Sequence, residues 1–133
     1  MIDIRSAPYA ATLLRISLGI MFIAHALLKY FVFTLPGTVR FFESMGLPGP
    51  LAYITFSAEL IGGLLIVGGI YARWVALALV PILLGATWAH AGNGWVFNAP
   101  NGGWEYPAFL VVAAIVAGLL GDGKFALVKN RTS

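Results

Sequence analysis

The sequence predicts an all-α integral membrane protein: a four-helix bundle, N-in and C-in, with a short amphipathic helix in its first outer loop. Three observations carry that expectation. Hydrophobic residues make up 60% of the 133 positions and charged residues only 10%, at a mean hydropathy of +0.91. A soluble domain carries about a quarter charged residues, and a disordered chain needs low hydrophobicity with high charge. Four stretches, residues 9–33, 51–71, 73–91 and 105–120, approach the roughly 20 apolar residues of a bilayer-crossing helix. The eight bases and five acids leave a net charge of +3 with no basic patch. That balance excludes nucleic acid as a partner and fits the bias that orients a membrane protein. Cysteine is absent, which removes disulfides, thiol nucleophiles and Cys-based metal sites.

The first span begins beyond Arg5 and contains Arg15. Its Ala24-His25-Ala26 mimics a signal-peptide cleavage site, but Arg15 shortens the apolar run before it, so the span is retained. In the loop that follows, TVRFFESMG predicts a short helix capped by Thr38 and ended by Gly46. Arg40 and Glu43 form an i,i+3 pair there, with Val39, Phe42 and Met45 turned to the membrane. The second span carries Ala58, Gly62, Gly63 and Gly69, small residues that let helices approach closely in lipid. Ala72 and Arg73 are nearly the whole connection to the third span, which Pro81 kinks. A second long loop, AGNGWVFNAPNGGW, holds turn signals at Asn93-Gly94 and Asn101-Gly102. Trp88, Trp95 and Trp104 belong at the water interface, either as an anchor belt or as a lid. The fourth span is the shortest, with Ala113, Ala117 and Gly121 at intervals of four. Arg5, Arg73, Lys124, Lys129 and Arg131 fall on one side, against Arg40 and Lys29 on the other, which places both termini inside.

The ionisable residues within the spans are the functional candidates. Each costs about 2.5–3.5 kcal/mol at the bilayer centre unless paired, cavity-facing or functional. Arg15, Leu18, Phe22, His25 and Lys29 fall within roughly 80° of one face of the first helix. Counting about 1.5 Å per residue, His25, Lys29, Glu59, His90 and Glu105 lie in the outer half, and Arg15 lies toward the inner side, where it could snorkel. Lys29 can bridge to Glu59 or to Glu105. Alone, such a bridge only fixes helix packing; with two histidines and a second carboxylate, the pattern favours a polar cavity whose histidines relay protons. No haem or metal is predicted. His25 and His90 differ in depth by about 8 Å, too much for an axial pair, and no Glu-x-x-His repeat, GxGxxG, Walker loop, GxSxG or HExxH occurs.

Read together, LLRISLGIMFIAHALLKY, FFESMGLPGP, AELIGGLLIVGGIYARWVAL, the His90 segment, GGWEYPAFLVV and GDGKFALVK resemble the DoxX family of small membrane proteins over nearly the whole chain. The family's His-Gly-x-x-Lys is His25, Ala26 and Lys29 here, with Ala26 in place of the Gly. Its Glu-x-x-Gly-Gly is Glu59, Gly62 and Gly63, followed by His90 and by Gly103 with Glu105. The resemblance implies one DoxX-like membrane domain over residues 1–133, in a bacterial cytoplasmic membrane. Because the family includes a membrane subunit resembling thiosulfate:quinone oxidoreductase, it also implies a redox subunit that takes a quinone or small aromatic ligand. His25, Lys29, Glu59, His90 and Glu105 are then the expected catalytic groups, bordered by Phe22, Gly62, Gly63 and Trp104. The alternative is a non-catalytic accessory subunit of a larger membrane complex, with a protein partner or further copies of itself. A small proton-coupled exporter shares only the number of spans, since its acidic residue lies in the first helix, where this chain has bases.

Overall fold

The computed structural model describes residues 1–96, 98 and 102–128. Lys129 and Arg131 of the orientation count, and Asn101 of the second turn signal, lie outside the described residues. The chain is all-α. Helix α1 spans Ala7–Leu27 and runs on as a wide π turn over Leu28–Val32, closed by the Phe33 N–H on the Leu28 carbonyl at 2.9 Å. Then follow α2 (Leu35–Ser44), α3 (Leu51–Gly68), α4 (Ala72–Ala78), α5 (Val80–His90) and α6 (Glu105–Leu120). Ala7–Val32, Leu51–Gly68 and Ala72–Asn93 are each long and apolar enough to cross a membrane; Glu105–Leu120 is a shorter apolar helix. The third span bends where Leu79 separates α4 from α5, two residues before Pro81. Proline has no N–H to give, and its ring crowds the preceding turn.

Among the described residues the helices pack α1 on α3, α3 on α4, α4 and α5 on α6, and α6 back on α1. The core gathers Leu18 and Phe22 of α1, Ile66 of α3, Leu79 and Leu83 around the α4–α5 bend, and Leu110 with Ala114 of α6. The closest seam lies between α1 and α3. A Cβ on Gly19 would come within 2.9 Å of the Gly63 carbonyl oxygen, and a Cβ on Gly63 within 2.9 Å of that of Gly19. In lipid, where apolar burial supplies little drive, such close van der Waals contact is what joins helices. Outward-facing Ile20, Ile54, Ile61, Leu64, Leu84, Phe109 and Leu119 stay exposed. In water that much apolar surface would mark a docking or aggregation site; against hydrocarbon it matches its surroundings.

Four local expectations are corrected. The α3–α4 turn is Gly69–Tyr71, not Ala72-Arg73. Gly69, at φ +73°, ends α3 in a left-handed cap whose bonds run from Gly69 N–H to Ile66 O and from Ile70 N–H to Leu65 O. Ala72 and Arg73 therefore already belong to α4. Helix α2 is capped by Thr34, whose side-chain oxygen accepts from the Gly37 N–H at 3.1 Å. Thr38 is buried one turn on and donates its hydroxyl to the Thr34 carbonyl at 2.8 Å. Gly46 follows the helix end at φ +81°, and the Leu47 N–H reaches back to the Phe42 carbonyl at 2.9 Å. Arg40 and Glu43 point outward and do not pair. Val39, Phe42 and Met45 are half-buried, because α2 folds down on α3 and the π turn and so turns this face inward.

Candidate functional site

Two polar clusters interrupt the apolar bundle, one at each end of α1. At the end where the segment after α6 returns to the start of α1, Arg15 is buried, 2% exposed. Its Nη1 donates to the carbonyls of Ile66 (3.0 Å) and Val67 (2.9 Å), and its Nη2 to that of Lys124 (3.2 Å). The first two are carbonyls of the last turn of α3, where no i+4 amide of the helix follows and the negative end of its dipole lies; Ile66 O also accepts the capping Gly69 N–H. Those carbonyls and the returning tail hold Arg15 within the protein. Gly69 makes room, since a Cβ there would stand 2.6 Å from Arg15 Nη1 and from Ala126 Cα.

The tail is tied down at further points. Thr12 Oγ1 lies 2.9 Å from the carbonyls of both Pro8 and Lys124 and accepts the Lys124 N–H at 2.7 Å. Leu127 and Val128 donate to Gly68 and Gly69 at 3.0 and 3.1 Å. Asp122, 1% exposed, accepts the Arg73 N–H at 3.4 Å and attracts the Arg15 charge. Asp122 was not singled out from the sequence; the signal available was an acid between two glycines directly after the fourth apolar run.

At the opposite, loop end, Lys29 sits in the π turn and Glu59 on α3. Lys29 Nζ meets Glu59 Oε1 at 2.7 Å, with the side chains 19% and 6% exposed. Of the two bridges open to Lys29, the structure forms the one to Glu59. One turn back, half-buried His25 stacks on Tyr106 of α6, centroids 5.7 Å apart and planes inclined by 21°. His25 Nδ1 lies 2.7 Å from the Met21 carbonyl, and His90 Nδ1 lies 2.8 Å from that of Ala86. A carbonyl only accepts, so each Nδ1 carries the hydrogen, and in the neutral ring Nε2 is left with its lone pair. Both imidazoles are thus set as proton acceptors at Nε2.

His25, Lys29 and Glu59 are therefore brought together through α1 and α3. His90 closes α5 and makes no hydrogen bond or ring contact with them; its ring borders Gly102 instead. Glu105 opens α6 beside Tyr106 and is half-buried. Phe22 belongs to the core, Gly62 faces Leu79, and Gly63 faces Ile23 and Gly19, so helix packing occupies all three. Trp104, 39% exposed, donates its backbone N–H to the Gly94 carbonyl at 3.1 Å, and the backbone N–H of Glu105 donates to that of Trp95 at 3.1 Å. Those two bonds draw the ends of the second loop together. Among the described residues, no three His, Cys, Asp or Glu side chains gather to hold a metal ion.

Comparison with known proteins adds a family to this geometry. A family model described as DoxX matches residues 10–92, a stretch that holds Arg15, His25, Lys29, Glu59 and His90 and stops short of Glu105 and Tyr106. Over 82 residues the chain is 39% identical to a Bacillus subtilis (strain 168) protein named "Putative oxidoreductase CatD". That alignment covers 62% of this chain and 60% of the relative, so the chain matches about three fifths of the relative's length. No solved structure matches the chain.

Proposed function

From the premise that this chain belongs to the DoxX family of membrane proteins, we propose that it is a redox membrane subunit that binds a quinone or small aromatic ligand at the loop end of the bundle. The observation that carries this reading is the Lys29–Glu59 pair at 2.7 Å, sunk between α1 and α3 one turn from His25. Its relative's name supports redox chemistry, and the two Nε2 lone pairs support proton exchange. In this reading the protein lies in a bacterial cytoplasmic membrane with both termini inside, so the loop end faces outward. The terminal end then carries Arg5, Arg73 and Lys124.

The donor set fits a ligand with carbonyl oxygens. Lys29 has three N–H donors, of which Glu59 takes one, leaving two to polarise an oxygen. Reduction of such a ligand to its quinol takes two electrons and two protons. The side chains here can hold and pass protons at Glu59, His25 and His90, with Glu105 as a further carboxylate near the surface. None can carry electrons between sites, so these come from a redox partner.

The test is titration of purified protein with a ubiquinone or menaquinone analogue. Saturable binding is expected, weakened about tenfold or more in Glu59→Gln, which corresponds to about 1.4 kcal/mol. Absent binding, or binding indifferent to Glu59→Gln, would overturn this reading and leave the accessory-subunit alternative, in which the same charges only fix packing.

A further inference from the structure

Tyr106 is left unexplained by the proton-carrying groups. Its ring stacks on His25 and packs against the core cluster, on the first turn of α6. The hydroxyl at the end of that ring is buried and, among the described residues, has no hydrogen-bond partner. Leaving a buried hydroxyl unmatched is unfavourable, and native structures pair the large majority of such groups. The surrounding groups are committed elsewhere. His25 Nδ1 is bonded to the Met21 carbonyl, the imidazole turns its face to the Tyr106 ring, and Glu59 is bonded to Lys29. No residue assigned so far uses the Tyr106 hydroxyl, and the ring that carries it stacks on His25, one turn before Lys29.

We infer that the Tyr106 hydroxyl is the donor that selects the ligand of this site, by hydrogen-bonding an acceptor oxygen such as a ring carbonyl. The inference rests on the reading of the loop end as a ligand site and deepens it by naming the group that recognises the ligand. Two donors, Lys29 N–H and Tyr106 O–H, suit a molecule with oxygens that carry no hydrogen of their own. A hydrocarbon of the same shape would leave both unmatched and gain nothing from them. The stack on His25 fixes the plane of the phenol ring and so the direction in which its O–H is offered. One side chain thereby sets both the orientation of an imidazole and the identity of the ligand atom.

The experiment compares the full chain and its Tyr106→Phe variant, in detergent, with menadione and with 2-methylnaphthalene, which has the same ring frame and no carbonyl. The wild-type chain is expected to bind menadione more tightly. Tyr106→Phe should weaken menadione about tenfold and leave methylnaphthalene unchanged, erasing the preference. Without ligand, the variant's melting temperature should be equal or higher, because an unmatched buried hydroxyl has been removed. Equal menadione affinity in the two proteins overturns the inference and leaves the ligand site standing. A lower melting temperature for ligand-free Tyr106→Phe also overturns it, since the hydroxyl then serves the fold. If the wild-type chain binds neither compound, the ligand-site reading falls and the inference with it.

Discussion

Helix α1 carries a sunken cation near each end, and the two are held by different chemistry. Arg15 is answered by backbone carbonyls of Ile66, Val67 and Lys124. Lys29 is answered by the carboxylate of Glu59, with an imidazole one turn away. A guanidinium keeps its charge at any ordinary pH, and a carbonyl has no proton to exchange. Apart from the buried carboxylate of Asp122, which attracts the Arg15 charge and accepts the Arg73 N–H, the Arg15 cluster therefore serves to hold pieces of chain together. At the other end, ammonium, carboxylate, imidazole and phenol are all groups that can gain or lose a proton. Charge inside a membrane protein is often read as a sign of function; here the nature of the partner separates a fastening from a candidate reaction site.

The comparison breaks first at Arg15. Replacing it with Ala should remove the bonds that join α1, the end of α3 and the tail; the Val67 carbonyl loses its partner, while Ile66 O keeps the Gly69 N–H and Lys124 O keeps the Thr12 hydroxyl. Hydrogen bonds to a charged group are worth roughly 1.5–3 kcal/mol each and are not additive, so a loss of about 4 kcal/mol is expected. Thermal melting in detergent measures it. Arg15→Lys should recover part of this, because an ammonium keeps the charge but lacks the planar fork that spans separate carbonyls. A melting temperature unchanged in Arg15→Ala would remove the fastening role.

The α1–α3 seam joins the two ends, and Gly63 tests it. The Cβ of an alanine there would meet Ile23 Cγ1 at 2.7 Å and the Gly19 carbonyl at 2.9 Å. Ile23 can turn aside, but the backbone oxygen cannot move unless α1 moves. Overpacking of this kind costs about 2 kcal/mol. Because Arg15 meets α3 on one side of Gly63 and Lys29 meets it on the other, Gly63→Ala should lower both melting temperature and quinone-analogue affinity. A variant that binds as the wild-type chain does would show that the two ends are not coupled through this seam.

How much of this was legible in the sequence follows from what kind of group each side chain meets. Lys29 and Glu59 are both side chains, so opposite charges at similar depth on adjacent spans announce the pair. Arg15 meets carbonyls, which every residue carries, and nothing in the letters marks Ile66 or Val67 as its partners. The turn after α3 moved upstream because Gly69 could take a left-handed cap that Ala72 could not favour. Thr34 displaced Thr38 as the cap of α2 for a similar reason: two threonines four apart compete, and Pro36 fixes the first turn after Thr34. Tyr106 was not singled out from the sequence, since nothing in an aromatic residue near the start of an apolar helix tells that its hydroxyl ends up buried.

The smallest expected change in stability makes the sharpest distinction between the two ends. A buried ion pair replaced on both sides by apolar groups of similar size is often neutral or stabilising, whereas removing one partner leaves a buried charge. Lys29→Met with Glu59→Leu should therefore melt within about 1 kcal/mol of the wild-type chain, while either substitution alone should melt lower. The double variant should also lose quinone-analogue binding, because the polarising ammonium and the carboxylate are both gone. If the double variant is instead as unstable as Arg15→Ala, then Lys29 and Glu59 form a second fastening, and the contrast between the ends of α1 is lost. Stability kept and binding lost is the outcome that ties the Lys29–Glu59 pair to chemistry rather than to the fold.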